Sequence, residues 1–97
     1  EALQFLHKNY MKKITAEQIA SHVGVGRTTF MTAFKQYTGS TLNHYLTQYR
    51  LQIAIQLLKQ GYTQQSSAEK CGFSDVGGFI RAFSRHYGTT PYKYLHK

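Results

Sequence analysis

The chain uses one pattern twice. In the stretch Gly72–Leu95, GFSDVGGFIRAFSRHYGTTPYKYL, a tight turn leads into a helical period, a glycine stop and a short proline-initiated close. A constant offset of 49 positions (79 against 30) carries Phe79 onto Phe30, Ala82 onto Ala33, Phe83 onto Phe34 and Gly88 onto Gly39. The same offset carries Thr90 onto Thr41, Tyr94 onto Tyr45 and Leu95 onto Leu46. One position tighter, Cys71-Gly72 meets Val23-Gly24, and Ala68 meets Ala20. A self-match of this kind means one supersecondary unit built twice, here with a longer turn in the second copy. With 97 residues to share, the copies form one domain or two very small subdomains.

Read in order, the pattern is helical throughout. Ala2–Tyr10 carries Leu3, Leu6 and Tyr10 at helical spacing, with Phe5 on the flank. Thr15 stands as an N-cap with Gln18 three residues on, the spacing of a capping box. Ala16, Ile19, Ala20 and Val23 then recur at i, i+3, i+4, i+7, one buried helix face, until Gly24-Val25-Gly26 breaks it. A helix from about Arg27 to Tyr37 is expected to bury Phe30, Ala33, Phe34 and Tyr37, leaving Thr28, Met31, Thr32 and Lys35 on the opposite side. Two short helices joined by a glycine turn, the second with a polar outer stripe, describe a helix-turn-helix. Thr41 caps a long helix to about Gln60. Leu42, Tyr45, Leu46, Tyr49 and Ile53 mark one of its faces, and Leu51, Ala54, Ile55, Leu57 and Leu58 widen the apolar surface. A helix apolar on more than one side packs on more than one side, as a helix joining two subdomains would.

The second copy follows Gly61. Thr63 caps a helix through Cys71, Gly72-Phe73-Ser74 turns, and Asp75 or Ser74 caps a helix from about Val76 to Tyr87. Its buried stripe is Phe79, Ala82, Phe83 and Tyr87 or His86, with Gly88 as the stop. Pro91 suits a helix start, where its missing N–H needs no partner. The reading is all-α: a first helix-turn-helix over 1–40, a linker helix over 41–60 and a second helix-turn-helix over 61–97.

Charge narrows the partners. Twelve Lys and Arg face four Asp and Glu, a net charge of +8, which favours a polyanion. The four acids, Glu1, Glu17, Glu69 and Asp75, are scattered and make no acid–base pair. His7, His22, His44, His86 and His96 show no metal-binding spacing, and one cysteine, Cys71, rules out an internal disulfide or a cysteine cage. No catalytic site, metal or cofactor is expected. Cys71 fits a reducing compartment, and neither an apolar run near 18 residues nor a signal-peptide pattern is present. The chain opens on Glu1 in mid-pattern, which reads as a piece of a longer protein.

DNA recognition needs charge to replace counterions, a helix for the major groove, and side chains that pair with base edges. The first outer stripe offers Thr28, Met31 and Thr32. The repeat register then assigns Gly77, Ile80 and Arg81 to the second. Arg81 is the foremost base-contact candidate, because a guanidinium can bond both acceptors of guanine. Candidates for phosphate are Arg27, Thr29, Lys35, Thr41, Ser74 and Arg85, from basic side chains and from helix starts at Thr28-Thr29, Thr41 and Val76 whose N–H groups suit phosphate oxygens.

The second copy resembles the signature of the AraC/XylS family of bacterial transcription regulators. The residues that carry this are Ala68, Cys71-Gly72-Phe73, Ser74-Asp75, Phe79, Arg81-Ala82-Phe83, Gly88-Thr89-Thr90-Pro91 and Tyr94. Upstream, Ile19-Ala20, Phe34-Lys35, Gly39, Tyr45, Arg50, Ala54 and Leu57-Leu58 fit as well, so the resemblance covers nearly the whole chain. It implies about seven helices, with two helix-turn-helix units bridged by a long helix. The two reading helices are implied to enter successive major grooves about one helical turn apart (about 34 Å). It adds Val76 to the base-facing positions. It further implies a bacterial cytoplasmic protein, an N-terminal effector or dimerisation domain, and activation through RNA polymerase.

Departures from the family pattern matter. Thr32 stands where the family often has Arg, and Gly77-Gly78 open the second reading helix at a cost in propensity of roughly 1 kcal/mol per Gly. Gln64 and Ser67 replace large aliphatics, leaving a thin core and an expectation that the second unit is the less stable half and firms up on DNA. The alternative is a protein-interaction module using the Tyr-rich linker helix, its charge serving solubility or non-specific nucleic-acid binding.

Overall fold

A computed structural model describes residues 2–96. Its elements are seven helices: α1 (Ala2–Asn9), α2 (Ala16–Val23), α3 (Arg27–Thr38), α4 (Leu42–Lys59), α5 (Gln64–Cys71), α6 (Val76–Tyr87) and α7 (Pro91–Leu95). The described residues contain no strand. The chain divides into two compact units, one ending at Leu46 and the other beginning at Thr47, so the boundary falls inside α4. Each unit holds one helix-turn-helix, α2–α3 and α5–α6, as the repeat required.

In the first unit, local chemistry sets where α2 begins and ends. Thr15 Oγ1 accepts from the Gln18 N–H at 3.1 Å, and Gln18 Oε1 accepts from the Thr15 N–H at 3.0 Å. This reciprocal pair satisfies two donors that a helix start would otherwise leave bare. At the other end Gly24 takes φ +81°, a backbone region that side chains with a Cβ disfavour. The Val25 N–H then reaches back to the Ala20 carbonyl at 3.0 Å, closing the helix as a Schellman turn does. Leu6 and Ile19 are wholly buried, together with Ala20, Phe30, Phe34, Leu42 and Leu46. Ring contacts tie the helices: Phe5 to His22 at 4.7 Å, and Phe34 edge-on to Tyr45 at 5.4 Å. The His7 ring nitrogen Nε2 also hydrogen-bonds the Tyr45 hydroxyl at 3.1 Å.

The buried stripe of α3 is narrower than its periodicity suggested. Phe30 and Phe34 point inward, but Ala33 is exposed and Tyr37 is 82% exposed. Periodicity names the residues that share a face. The width of the face that is covered depends on the partners, and here they are two helices of eight residues and the first turns of α4.

The second unit repeats the devices. Thr63 Oγ1 accepts from the Ser66 N–H at 3.0 Å, and Gly72 takes φ +97° while the Phe73 N–H returns to the Ala68 carbonyl at 3.0 Å. Asp75, rather than Ser74, caps α6, its Oδ1 accepting from the Gly78 N–H at 2.6 Å. Thr90 caps α7, with Pro91 in the first turn and buried.

Leu51, Ala54, Ala68, Cys71, Phe79 and Phe83 form the core of this unit. A run of aromatic contacts extends it: Phe73–Phe79 at 5.4 Å, Phe79–Phe83 at 5.9 Å, Phe83–Tyr87 at 4.6 Å and Tyr87–Tyr94 at 5.0 Å. Tyr87 takes the inner place and His86 is exposed. The small inward residues of α5 are thus met by bulk from α4, α6 and α7.

Two buried groups on α5 carry testable energetics. Ser67 is fully buried, and its Oγ has no hydrogen-bond partner among the described residues. A buried hydroxyl without a partner costs about 1–3 kcal/mol, and Ala is the better helix former. Ser67→Ala is therefore expected to stabilise the chain by about 1 kcal/mol in urea unfolding. Burial also pushes the Cys71 thiol from 9.0 up to about 11, the Arg50 guanidinium pulling weakly the other way. Above pH 9 the unfolded chain loses this proton and the folded chain keeps it. Stability should therefore fall from about pH 9 to about pH 11 and level off beyond. Parallel pH titrations of wild type and Cys71→Ala should show the variant losing less over that window.

Candidate nucleic-acid interface

Burying Phe30 and Phe34, one turn apart, turns the opposite side of α3 outward. Thr28, Met31, Thr32 and Lys35 are all exposed there, as the spacing predicts. Two shallow grooves flank this ridge. One, of about 510 Å³, is lined by Met31, Thr32, Lys35, Gln36, Thr41 and Leu42. The other, of about 370 Å³, is lined by Thr28, Thr29, Thr32, Ala33 and Gln36. The first brings base-contact candidates (Met31, Thr32) together with phosphate candidates (Lys35, Thr41). Thr32 and Gln36 line both grooves. Gln36 was missed in the sequence, although it stands four residues after Thr32 and its amide suits the edge of adenine.

The start of α3 is open. Its cap is Gly26, which makes no side-chain hydrogen bond to the first turn, where a helix leaves its N–H groups without intrahelical partners. Thr29 is exposed beside them, and Arg27 is held by Glu17, Nε to Oε2 at 3.0 Å. Thr41 is exposed at the start of α4, its Oγ1 accepting from the His44 N–H at 3.2 Å.

The equivalent surface of α6 is built differently. Arg81, Ser74 and Arg85 are exposed, whereas Val76, Gly77 and Ile80 are half-buried. Val76 and Ile80 pack against the core of the second unit, so each has only part of its side chain to offer. The Asp75 carboxylate already occupies the start of α6. It repels a phosphate approaching the Val76 end, which makes this a poorer phosphate seat than the start of α3.

A model for a family described as "Helix-turn-helix domain" matches residues 19–97. The chain is 30% identical to the transcriptional regulatory protein HptR of Staphylococcus aureus over 92% of its own length and 35% of that protein's. It thus spans about a third of the length of this relative. Among solved structures it resembles a regulator with an AraC-type DNA-binding domain from Chromobacterium violaceum. There the TM-score is 0.88 and the identity 32%, covering 96% of this chain and 84% of that one. It resembles equally the DNA-binding domain of AdpA, solved in complex with a target DNA, with a TM-score of 0.89 and 26% identity over 96% and 85% of the two chains.

The chain belongs to the AraC-type helix-turn-helix family of DNA-binding transcription regulators. The alternative reading, an interaction module built on α4, is not favoured. Members of the AraC-type family are generally not enzymes. In this AraC-type domain no helix among the described residues is long and apolar enough to cross a membrane.

The Arg27–Glu17 pair generates a prediction. Both side chains are more than half exposed, and such pairs are worth about 0.2–1 kcal/mol. Glu17→Gln removes one negative charge and frees Arg27 for phosphate. Binding of duplex DNA should tighten a few-fold at low salt by fluorescence anisotropy, with the melting temperature almost unchanged. Unchanged or weaker binding would remove Arg27 from the phosphate contacts.

Proposed function

We propose that this domain reads double-stranded DNA in two places, with α3 and α6 each entering a major groove, the two grooves successive along the duplex. The observation behind the reading is the duplicated unit: in each copy a buried pair of phenylalanines one turn apart leaves an exposed face on a basic chain. Thr28, Met31 and Thr32 would read base edges from α3, and Val76, Gly77, Ile80 and Arg81 from α6. Arg27, Thr29, Lys35, Thr41, Ser74 and Arg85 would hold phosphates. The division of labour is a first helix-turn-helix subdomain over 1–40, a linker helix over 41–60 and a second helix-turn-helix subdomain over 61–97.

In the full-length protein we place an effector-binding or dimerisation domain ahead of this one. Bound to its operator in the bacterial cytoplasm, the regulator would activate transcription by touching RNA polymerase. Support comes from the relatives' size and names, since HptR is a transcriptional regulatory protein nearly three times as long as the matched region. We read the domain as non-enzymatic and as needing no metal or other cofactor.

The reading turns on Arg81. A bidentate arginine–guanine contact is worth about 1–3 kcal/mol of discrimination. Arg81→Ala should lose that much affinity for the preferred duplex and relax selectivity at one base pair. Lys35→Ala should instead weaken all duplexes alike and reduce the salt slope by about 1. Equal loss on every sequence from Arg81→Ala would demote it to a phosphate contact.

A further inference from the structure

Four residues at the start of α6 form one arrangement. Gly77 and Arg81 are four apart, and Gly78 and Arg81 three apart, so each glycine lies beside Arg81 on the helix surface, with Asp75 at the cap before them. A helical side chain leans toward the N-terminus and covers the turn before its own Cα. Arg81 does so here. A Cβ built on Gly77 would lie 3.3 Å from Arg81 Nη1 and 3.5 Å from Asp75 Oδ1. One built on Gly78 would lie 3.2 Å from Asp75 Oδ1 and 3.8 Å from Arg81 Nη2. The guanidinium therefore rests in a notch that exists because these two positions have no side chain. The Asp75 carboxylate, fixed by its bond to the Gly78 N–H, closes the other side.

The placement needs an explanation, because the start of a helix is its positive end and disfavours a cation. The Asp75 charge offsets that, and the notch supplies the room. Its consequence is delivery: the guanidinium lies level with the first turn of α6, and in a helix-turn-helix the N-terminal residues of the reading helix meet the base edges.

We propose that Gly77, with Gly78 and Asp75, is a specificity-determining position that acts through Arg81: the notch holds the guanidinium at the reading end of α6. This rests on Arg81 being a reading residue. Gly77 then serves as a positioning residue, in place of the base-contact role the repeat register assigns it. The two glycines are unfavourable as helix formers, and a side chain longer than alanine at Gly77 would displace the arginine.

The test is a double-mutant cycle on a duplex selected from a randomised pool by this chain, read by anisotropy. Gly77→Leu fills the notch with a strong helix former that has no hydrogen-bonding group. Gly77→Ala demands a shift of only a few tenths of an ångström from the flexible end of Arg81. With Arg81 present, Gly77→Leu should weaken binding about tenfold, one good base contact, and flatten the preference at the Arg81-dependent base pair. Gly77→Ala should keep that preference. With Arg81→Ala, adding Gly77→Leu should do nothing more.

An equal loss from Gly77→Leu in both backgrounds would overturn the proposal, because the leucine would then be obstructing DNA itself. No loss with Arg81 present would overturn it too. If Arg81→Ala alone leaves affinity and preference untouched, the underlying reading of Arg81 fails, and this proposal with it. Circular dichroism melts check the fold, and Gly77→Leu should melt no lower than wild type.

Discussion

Two pairs of phenylalanines, Phe30 with Phe34 and Phe79 with Phe83, set the orientation of both reading helices. Each pair is buried, one turn apart, in ring contact at 5.6 Å and 5.9 Å respectively. Helices α2 and α5 have eight residues each, too short to persist alone in water. They hold because α3 and α6 bring large aromatic surface to them, at roughly 25 cal/mol per Å² of apolar area removed from water. Once such a pair points inward, the helical period turns positions 28, 31, 32 and 35 outward in α3. In α6 it turns Arg81 and Arg85 outward. The outward face follows from the inward one.

What could be read in the sequence was local or periodic. The Thr15–Gln18 box, the glycine stops and the Thr41 and Thr63 caps need only near neighbours in the chain, so spacing alone identifies them. The repeat disclosed two helix-turn-helix units because similar cores need similar residues at similar intervals. What escaped was tertiary. Tyr37 lies on the right period but has nothing to cover it. Glu17 meets Arg27 only once α2 and α3 are packed. Gln36 stands out only because it lines the grooves on both sides of α3. The Gly77-Gly78 pair read as a loss of helix propensity, and its use, room for Arg81, depends on where a long side chain lies.

The two copies have diverged electrostatically. The start of α3 is open, with a glycine cap, while a carboxylate closes the start of α6. Arg27 is paired at the first and Arg81 folds back toward the second. On a chain of net charge +8, the first arrangement leaves the helix start without a side-chain cap and with exposed threonine hydroxyls beside it. The second presents one oriented guanidinium. The same scaffold thus presents different chemistry at the two helix starts.

The most direct measurement is selection of duplexes from a randomised pool by this chain, followed by salt titration of the preferred sequence. The account predicts two short motifs about 10 base pairs apart, with the sharper one lost in Arg81→Ala. A single motif, or no motif together with binding that collapses as salt rises, would contradict it.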